Sequence, residues 1–281
     1  MMRLDAHQHF WRYDAEQYPW IPPGSALHRD WLPADLLALQ QPLGFQGSIA
    51  VQARQSLAES DWLLGLADAC PALLGVVGWV DLRHPDVALD LARLARHPRF
   101  VGVRHVVQDE ADPDFMLQPE FQRGLSLLAD FDLTYDFLVF HHQLPATLEV
   151  ARRLPHQAFV LDHVAKPAIR DRGFEPWATH LRALAKLPNV HCKVSGMVTE
   201  ADWKRWRPED FRPYLDLVFE AFGPTRVMFG SDWPVCLHAA AYDRVVALLE
   251  DYASSLDSAQ RAAFFGGNAL RFYLGKTSLT V

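Results

Sequence analysis

His7 and His9 stand two residues apart in the run Arg3-Leu4-Asp5-Ala6-His7-Gln8-His9-Phe10-Trp11. In an extended strand, residues two apart project to the same face. Both imidazoles are therefore expected to aim at one spot, with Asp5 below them. Imidazole is the commonest protein ligand for metals and the usual general acid or base near neutral pH. A single His-x-His is as readily structural as chemical, so its meaning depends on partners. Two stand far along the chain: His163 in Leu161-Asp162-His163-Val164-Ala165-Lys166-Pro167, and Asp232 in Gly230-Ser231-Asp232-Trp233-Pro234. Three imidazoles and one carboxylate suit a single divalent ion such as zinc. The same four groups equally suit a metal-free site, where imidazoles polarise a carbonyl while the carboxylate activates water.

Such groups meet only if the fold gathers strand ends. Runs rich in Val, Ile, Leu and Phe read as strands over Arg3–His9, Gly47–Ala53, Leu74–Val80, Phe100–Val107, Leu133–Val139, Ala158–His163, Val190–Ser195 and Arg226–Ser231. Between them, apolar residues recur at helical spacing over Ala34–Leu39, Ser60–Cys70, Asp86–Ala95, Phe121–Phe131, Ala146–Leu154, Trp177–Leu187, Phe211–Phe222 and Tyr242–Tyr252. Pro33, Pro85, Pro145, Pro176 and Pro213 stand near the expected helix starts. Eight strand-helix units predict an α/β fold, the (β/α)8 TIM barrel, as one domain over residues 1–281. An open doubly wound sheet is disfavoured because no Gly-x-Gly-x-x-Gly follows the first strand. Ser258–Tyr273 reads as a closing helix pair beneath or beside the barrel.

In such a barrel the chemistry lies at the C-terminal ends of the strands. Besides the three histidines and Asp232, those ends carry Gln52, Trp79, Arg104, His105, Ser195 and, just beyond strand six, Lys166. Together with Trp11 they are the expected substrate-binding set. Asp162, opposite in phase to His163, is expected to point outward and to cap or orient a neighbour. Asp81 and Asp136 read as turn or loop-binding residues. His28, His84, His97, His156 and His180 fall in loops or helices, and His191 lies too deep in its strand. Gly275-Lys276-Thr277 mimics the end of a P-loop, but the upstream glycine is missing. No Gly-x-Ser-x-Gly elbow is present, which argues against a serine hydrolase.

A net charge of −7 with no basic run argues against a nucleic-acid partner. The longest apolar runs fall well short of a membrane span of about 20 residues. Three widely spaced cysteines read as reduced thiols of a cytoplasmic enzyme. Homo-oligomerisation is left open.

The strand-one, strand-six and strand-eight motifs, with Gly102-Val103-Arg104-His105 and Lys193-Val194-Ser195-Gly196, resemble the amidohydrolase superfamily of the amidohydrolase-2 type. Within it the pattern looks like the sugar-acid lactonases of the L-fuconolactonase and L-rhamnonolactonase kind. The resemblance spans the chain to Gly267-Asn268-Ala269-Leu270-Arg271-Phe272-Tyr273. It implies that His7, His9, His163 and Asp232 form the catalytic centre, and that a sugar lactone such as L-fuconolactone is the substrate. It also implies that a single zinc on those four residues is optional. Binuclear relatives carry a strand-four Lys or Glu and a strand-five His; here Arg104, His105, Tyr135 and Asp136 stand instead, which speaks against a second metal. The competing reading is a zinc-dependent, non-oxidative decarboxylase of an aromatic or unsaturated acid.

Overall fold

The structure is a computed structural model that describes residues 2–275. Lys276 and Thr277, part of the P-loop-like string, lie outside the described residues. The strands are β1 (Arg3–Gln8), β2 (Phe45–Val51), β3 (Leu73–Gly78), β4 (Phe100–His105), β5 (Thr134–Phe137), β6 (Phe159–Leu161), β7 (Val190–Val194) and β8 (Val227–Phe229). They pair in chain order and in parallel. The ring closes where Asp232 N donates to His7 O at 2.8 Å and His9 N to Trp233 O at 2.7 Å. The expected (β/α)8 barrel is thus present. All eight strands end one or two residues sooner than the sequence suggested, because the residues at their C-terminal ends leave the ladder and become the rim.

The helices are α1 (Pro33–Gln40), α2 (Leu57–Ala69), α3 (Val87–Leu94), α4 (Pro119–Ser126), α5 (Leu144–Arg153), α6 (Trp177–Ala185), α7 (Pro208–Phe222) and α8 (Tyr242–Ala253). Their apolar stripes, such as Leu63 and Ala67 of α2 or Leu181 and Leu184 of α6, are buried against the outer face of the sheet. Each such leucine contributes roughly 1.5–3 kcal/mol on burial. Helix α7 begins at Pro208, earlier than expected, which leaves Pro213 inside it.

The barrel interior is filled from below by Leu4, Ala6, Ile49, Val51, Val77, Val160 and Met228. Closing this layer is a single winding segment, α9 (Ser258–Ala262) continued by wide turns over Ala263–Gly267 and Leu270–Leu274. It sends Ala269, Phe272 and Tyr273 into the interior layer. Gly266 is required there, since a Cβ would sit 2.1 Å from Met2 O. The tail therefore lies beneath the barrel, one of the two expected placements, and enters its N-terminal mouth as a plug. No helix among the described residues is long and apolar enough to cross a membrane.

One irregularity in β1 decides which groups enter the site. Asp5 pairs with Ser48 while Gln8 pairs with Ala50, so three steps on β1 match two on β2. The bulge resets the alternation. Leu4 and Ala6 face inward below it, and His7 and His9 face inward above it. Asp5 instead faces outward, where Oδ1 accepts from Ser231 N at 2.9 Å and Oδ2 from the Tyr242 hydroxyl at 3.2 Å. Burial pushes its carboxyl up to about 6. The expectation that Asp5 lies below the histidines on one face is corrected by this bulge.

Candidate active site

His9 lies in the barrel mouth with Nδ1 2.8 Å from Val51 O. A carbonyl only accepts, so Nδ1 carries the hydrogen and Nε2 presents a lone pair. His7 is fully buried, with Nδ1 3.2 Å from Asp162 Oδ1 and Nε2 3.2 Å from His9 Nε2. Burial holds the His7 imidazole well below its ordinary value, so it is neutral.

His163 follows β6 in an unusual run: His163, Val164, Ala165 and Lys166 have φ of 53°, 56°, 58° and 49°. Left-handed backbone costs such residues roughly 1–2 kcal/mol each. The turn is clamped by Lys166 N to His163 O at 2.8 Å and by the Trp177 indole N–H to Val164 O at 2.8 Å. It turns the His163 ring inward, with Nδ1 2.9 Å from Ser195 Oγ. Asp232, after β8, also has a left-handed φ of 57°. Its Oδ1 stands 3.3 Å from His9 Nε2, 3.8 Å from His7 Nε2 and 3.9 Å from His163 Nε2. Burial raises the Asp232 carboxyl, but His163 and His9, with Lys166 beyond them, outweigh it and hold the group below its ordinary value. It is ionised at neutral pH.

The His9 lone pair, His7 Nε2 and a carboxylate oxygen of Asp232 thus face one another. A tetrahedral zinc with bonds of 2.0–2.1 Å spaces its ligands roughly 3.4 Å apart. The 3.2, 3.3 and 3.8 Å separations among His7 Nε2, His9 Nε2 and Asp232 Oδ1 bracket that spacing. The donor set therefore fits one divalent cation. Arg104 Nη1, 3.3 Å from His7 Nε2, is the competing occupant of one lone pair.

Beneath this set lies a buried charge cluster. Asp162 accepts from Arg104 Nη1 at 3.1 Å and from Lys193 Nζ at 2.9 Å. Burial opposes its ionisation, yet Lys193, His7 and Arg104 hold it well below the ordinary range. Asp162 points into the barrel, which corrects the outward placement: β6 ends at Leu161, so strand alternation no longer applies. It does orient a neighbour, His7. Asp136 is also inside the barrel, 2.5 Å from Lys193 Nζ, and not at a turn.

The open space above is a cleft of about 840 Å³ whose walls include His9, Arg54, Arg104, His163, Lys166 and Asp232, with Glu16, Gln17 and Trp20 from the loop after β1. Arg104 and Lys166 of the expected substrate-binding set are thus on its surface. Five others stand behind it. Trp11 is fully buried, giving its indole N–H to Arg29 O at 3.0 Å within a small core with Tyr18, Ile21 and Leu27. Gln52 accepts a backbone-directed hydrogen bond from Arg104 and returns one from Nε2 to Arg104 O at 3.3 Å, so it buttresses that arginine. His105 alternates away from Arg104, stacks on Phe115 at 5.0 Å and bonds Glu110 at 2.7 Å. Trp79 directs its indole N–H to His105 Nδ1 at 3.4 Å. Ser195 is buried under His163.

Lys193 escaped assignment in the sequence, although a signal existed. A lysine in Val190-His191-Cys192-Lys193-Val194 must be buried, and a buried ammonium needs carboxylates around it. Tyr273, whose hydroxyl donates to Asp136 Oδ2 at 2.8 Å, carries no comparable local sign.

A closed (β/α)8 barrel with a histidine and carboxylate cluster at its C-terminal mouth defines the barrel hydrolases with a polar, metal-capable centre. The amidohydrolase family model matches residues 4–274, and the chain belongs to that family. It is 47% identical to the L-fucono-1,5-lactonase of Burkholderia multivorans over 97% of this chain and 96% of that one. It is 40% identical to the L-fucono-1,5-lactonase of Burkholderia ambifaria over 96% and 95%. A crystal structure of a Burkholderia multivorans amidohydrolase with bound zinc superposes with a TM-score of 0.93 at 47% identity, covering 97% of this chain and 99% of that one.

Proposed function

We propose that the chain is a hydrolase that opens a sugar-acid lactone, with L-fucono-1,5-lactone as the first candidate. The observation that carries the reading is the convergence of three imidazole Nε2 atoms on Asp232 Oδ1 at 3.3–3.9 Å, on the floor of an open polar cleft. Near-full-length likeness to two lactonases supports it.

In this mechanism Asp232, ionised and buried, takes a proton from the attacking water. Arg104 stands at the same floor and supplies a fixed cationic donor for the oxygen that gains charge as the ring carbon becomes tetrahedral. His7, His9 and His163 surround the reacting carbon and are held by Asp162, Val51 O and Ser195, so they reorganise little during reaction. Asp232 then returns its proton to the departing ring oxygen, leaving the open aldonate. His7, His9, His163 and Asp232 would hold a single zinc, and such an ion supplies a Lewis acid beside the carbonyl. Lys166 and Arg54 on the wall are proposed to bond substrate hydroxyls. A small neutral polyol matches this lining, where acidic Glu16 and Glu110 offset the cations. The unit is one barrel domain in the cytoplasm, where the free thiols Cys70, Cys192 and Cys236 stay reduced.

The test is a pH-drop assay over aldono-1,4- and 1,5-lactones, with and without chelator, corrected for spontaneous opening. Turnover of L-fucono-1,5-lactone above background is expected. Absence of turnover on every lactone, together with stoichiometric zinc and release of carbon dioxide from an aromatic acid, would favour the decarboxylase.

A further inference from the structure

The lactonase mechanism uses the cleft side of His7 and leaves unexplained what lies behind it. His7 Nδ1 is 3.2 Å from Asp162 Oδ1, an acceptor, and 3.2 Å from Lys193 Nζ, a donor. The two contacts demand opposite tautomers. A hydrogen on Nδ1 serves Asp162 and leaves Nε2 with the lone pair that faces His9 and the cleft. A bare Nδ1 serves Lys193 and puts the hydrogen on Nε2, which removes that lone pair. Arg104 Nη1, a donor 3.3 Å from Nε2, favours the first tautomer, and the group presented to the cleft then depends on whether Lys193 spends a proton on Nδ1.

Two of those protons have other acceptors: Asp136 Oδ2 at 2.5 Å and Asp162 Oδ1 at 2.9 Å. Asp136 is itself held from below. The Tyr273 hydroxyl donates to the same Oδ2 at 2.8 Å, and the Tyr273 ring lies 5.4 Å from Lys193 Nζ. Asp136 Oδ1 has no partner, so Tyr273 and Lys193 alone set the carboxylate's orientation. All of Tyr273, Asp136, Lys193, Asp162 and His7 are buried. Two carboxylates, Lys193 and the Arg104 guanidinium balance in charge, which is the condition for such a cluster to persist out of water.

We propose that Tyr273, Asp136 and Lys193 are positioning residues that fix His7 with hydrogen on Nδ1 and the lone pair on Nε2. The plug at the N-terminal mouth of the barrel thereby governs the chemistry presented at the opposite mouth. The consequence for turnover rests on the lactonase reading above; the tautomer of His7 does not.

Tyr273→Phe tests this, because it removes one hydroxyl and keeps the ring in its layer. The readout is a long-range proton–nitrogen correlation spectrum of histidine-labelled protein as purified, with His7 assigned by its loss in His7→Asn. The wild type is expected to show hydrogen on Nδ1 alone. Tyr273→Phe is expected to mix the two tautomers and to lower kcat roughly ten-fold with KM within about two-fold, in the range typical of groups that orient an active imidazole. Asp136→Asn, which changes one atom, is expected to do the same, and adding Tyr273→Phe to it is expected to cause no further loss. An unchanged His7 spectrum in both variants overturns the proposal whatever the rates, as does a mixed spectrum with unchanged kcat on a lactone the wild type opens. A responsive spectrum in a protein that opens no lactone would support the column and fault the lactonase reading instead.

Discussion

The backbone N–H of Asp232 donates to the carbonyl of His7 at 2.8 Å, so the bond that closes the barrel also sets the carboxylate beside the imidazoles. Closure and the geometry of the candidate site are one event. Residues from opposite ends of the chain cannot meet unless β8 finds β1.

Asp232→Asn keeps the shape of the side chain and removes its capacity to take a proton. The expected result is a fall in kcat of roughly 10²–10⁴-fold. The melting temperature is expected to stay near that of the wild type, since the backbone bond to His7 is untouched. Substantial residual turnover would remove Asp232 from the role of base.

Zinc is expected to bind with a stoichiometry of one and to raise the melting temperature. At a hundred-fold excess over the dissociation constant the stabilisation is roughly 2.7 kcal/mol. His9→Ala deletes one of the three atoms that converge at 3.2–3.8 Å and should abolish the shift. Calorimetric titration giving two equivalents would contradict the single-ion reading.

Gly196 adopts φ +60°, and a Cβ there would lie 2.5 Å from His163 Nδ1 and 3.1 Å from Asp232 Oδ2. Gly196→Ala is expected to displace both groups and to lower kcat by roughly 100-fold, the cost of a misplacement near 1 Å. Far-ultraviolet circular dichroism should remain that of the barrel.

Arg104→Gln leaves Asp162 with Lys193 as its only remaining cation partner at hydrogen-bond distance. Breaking a buried ion pair on one side costs roughly 3 kcal/mol or more. Denaturant midpoints should fall accordingly, and an unchanged midpoint would mean that Lys193 alone compensates the carboxylate.

Glu59 provides a pH signature away from the cleft. It is buried, accepting from Ala53 N and Arg54 N at 3.0 Å each and from the Tyr18 hydroxyl at 3.0 Å. Burial raises its carboxyl from 4.5 to about 7. Between those values the folded chain binds more protons than the unfolded one, so this group makes stability fall as pH rises through the window. Above pH 7 the penalty is complete. Glu59→Gln should remove that slope and raise stability at pH 8 by roughly 1–3 kcal/mol, with little change at pH 4. Melting curves at the two pH values check the sign.

The eight strand-helix units, the four groups that converge and the cleft-lining positions of Arg104 and Lys166 were legible in the sequence, because parallel barrels advertise themselves through apolar strands and place chemistry at strand ends. The rim assignments were less legible. Strand alternation separates Arg104 from His105, and packing behind the wall draws in Trp11, Gln52, Trp79 and Ser195. Nothing local distinguishes a side chain that faces the cleft from one that supports it.

By itself the sequence determined the fold class and the residue types of the candidate site, since both depend on residue type and short-range spacing. Only the tertiary structure decided the phase of each group. A bulge in β1 sends Asp5 out and both histidines in, and the early end of β6 turns Asp162 inward. The plug carries Tyr273 through the barrel to Asp136. These outcomes depend on pairing register and on contacts between residues far apart in the chain, where free energy is settled by packing and charge compensation that no local pattern encodes.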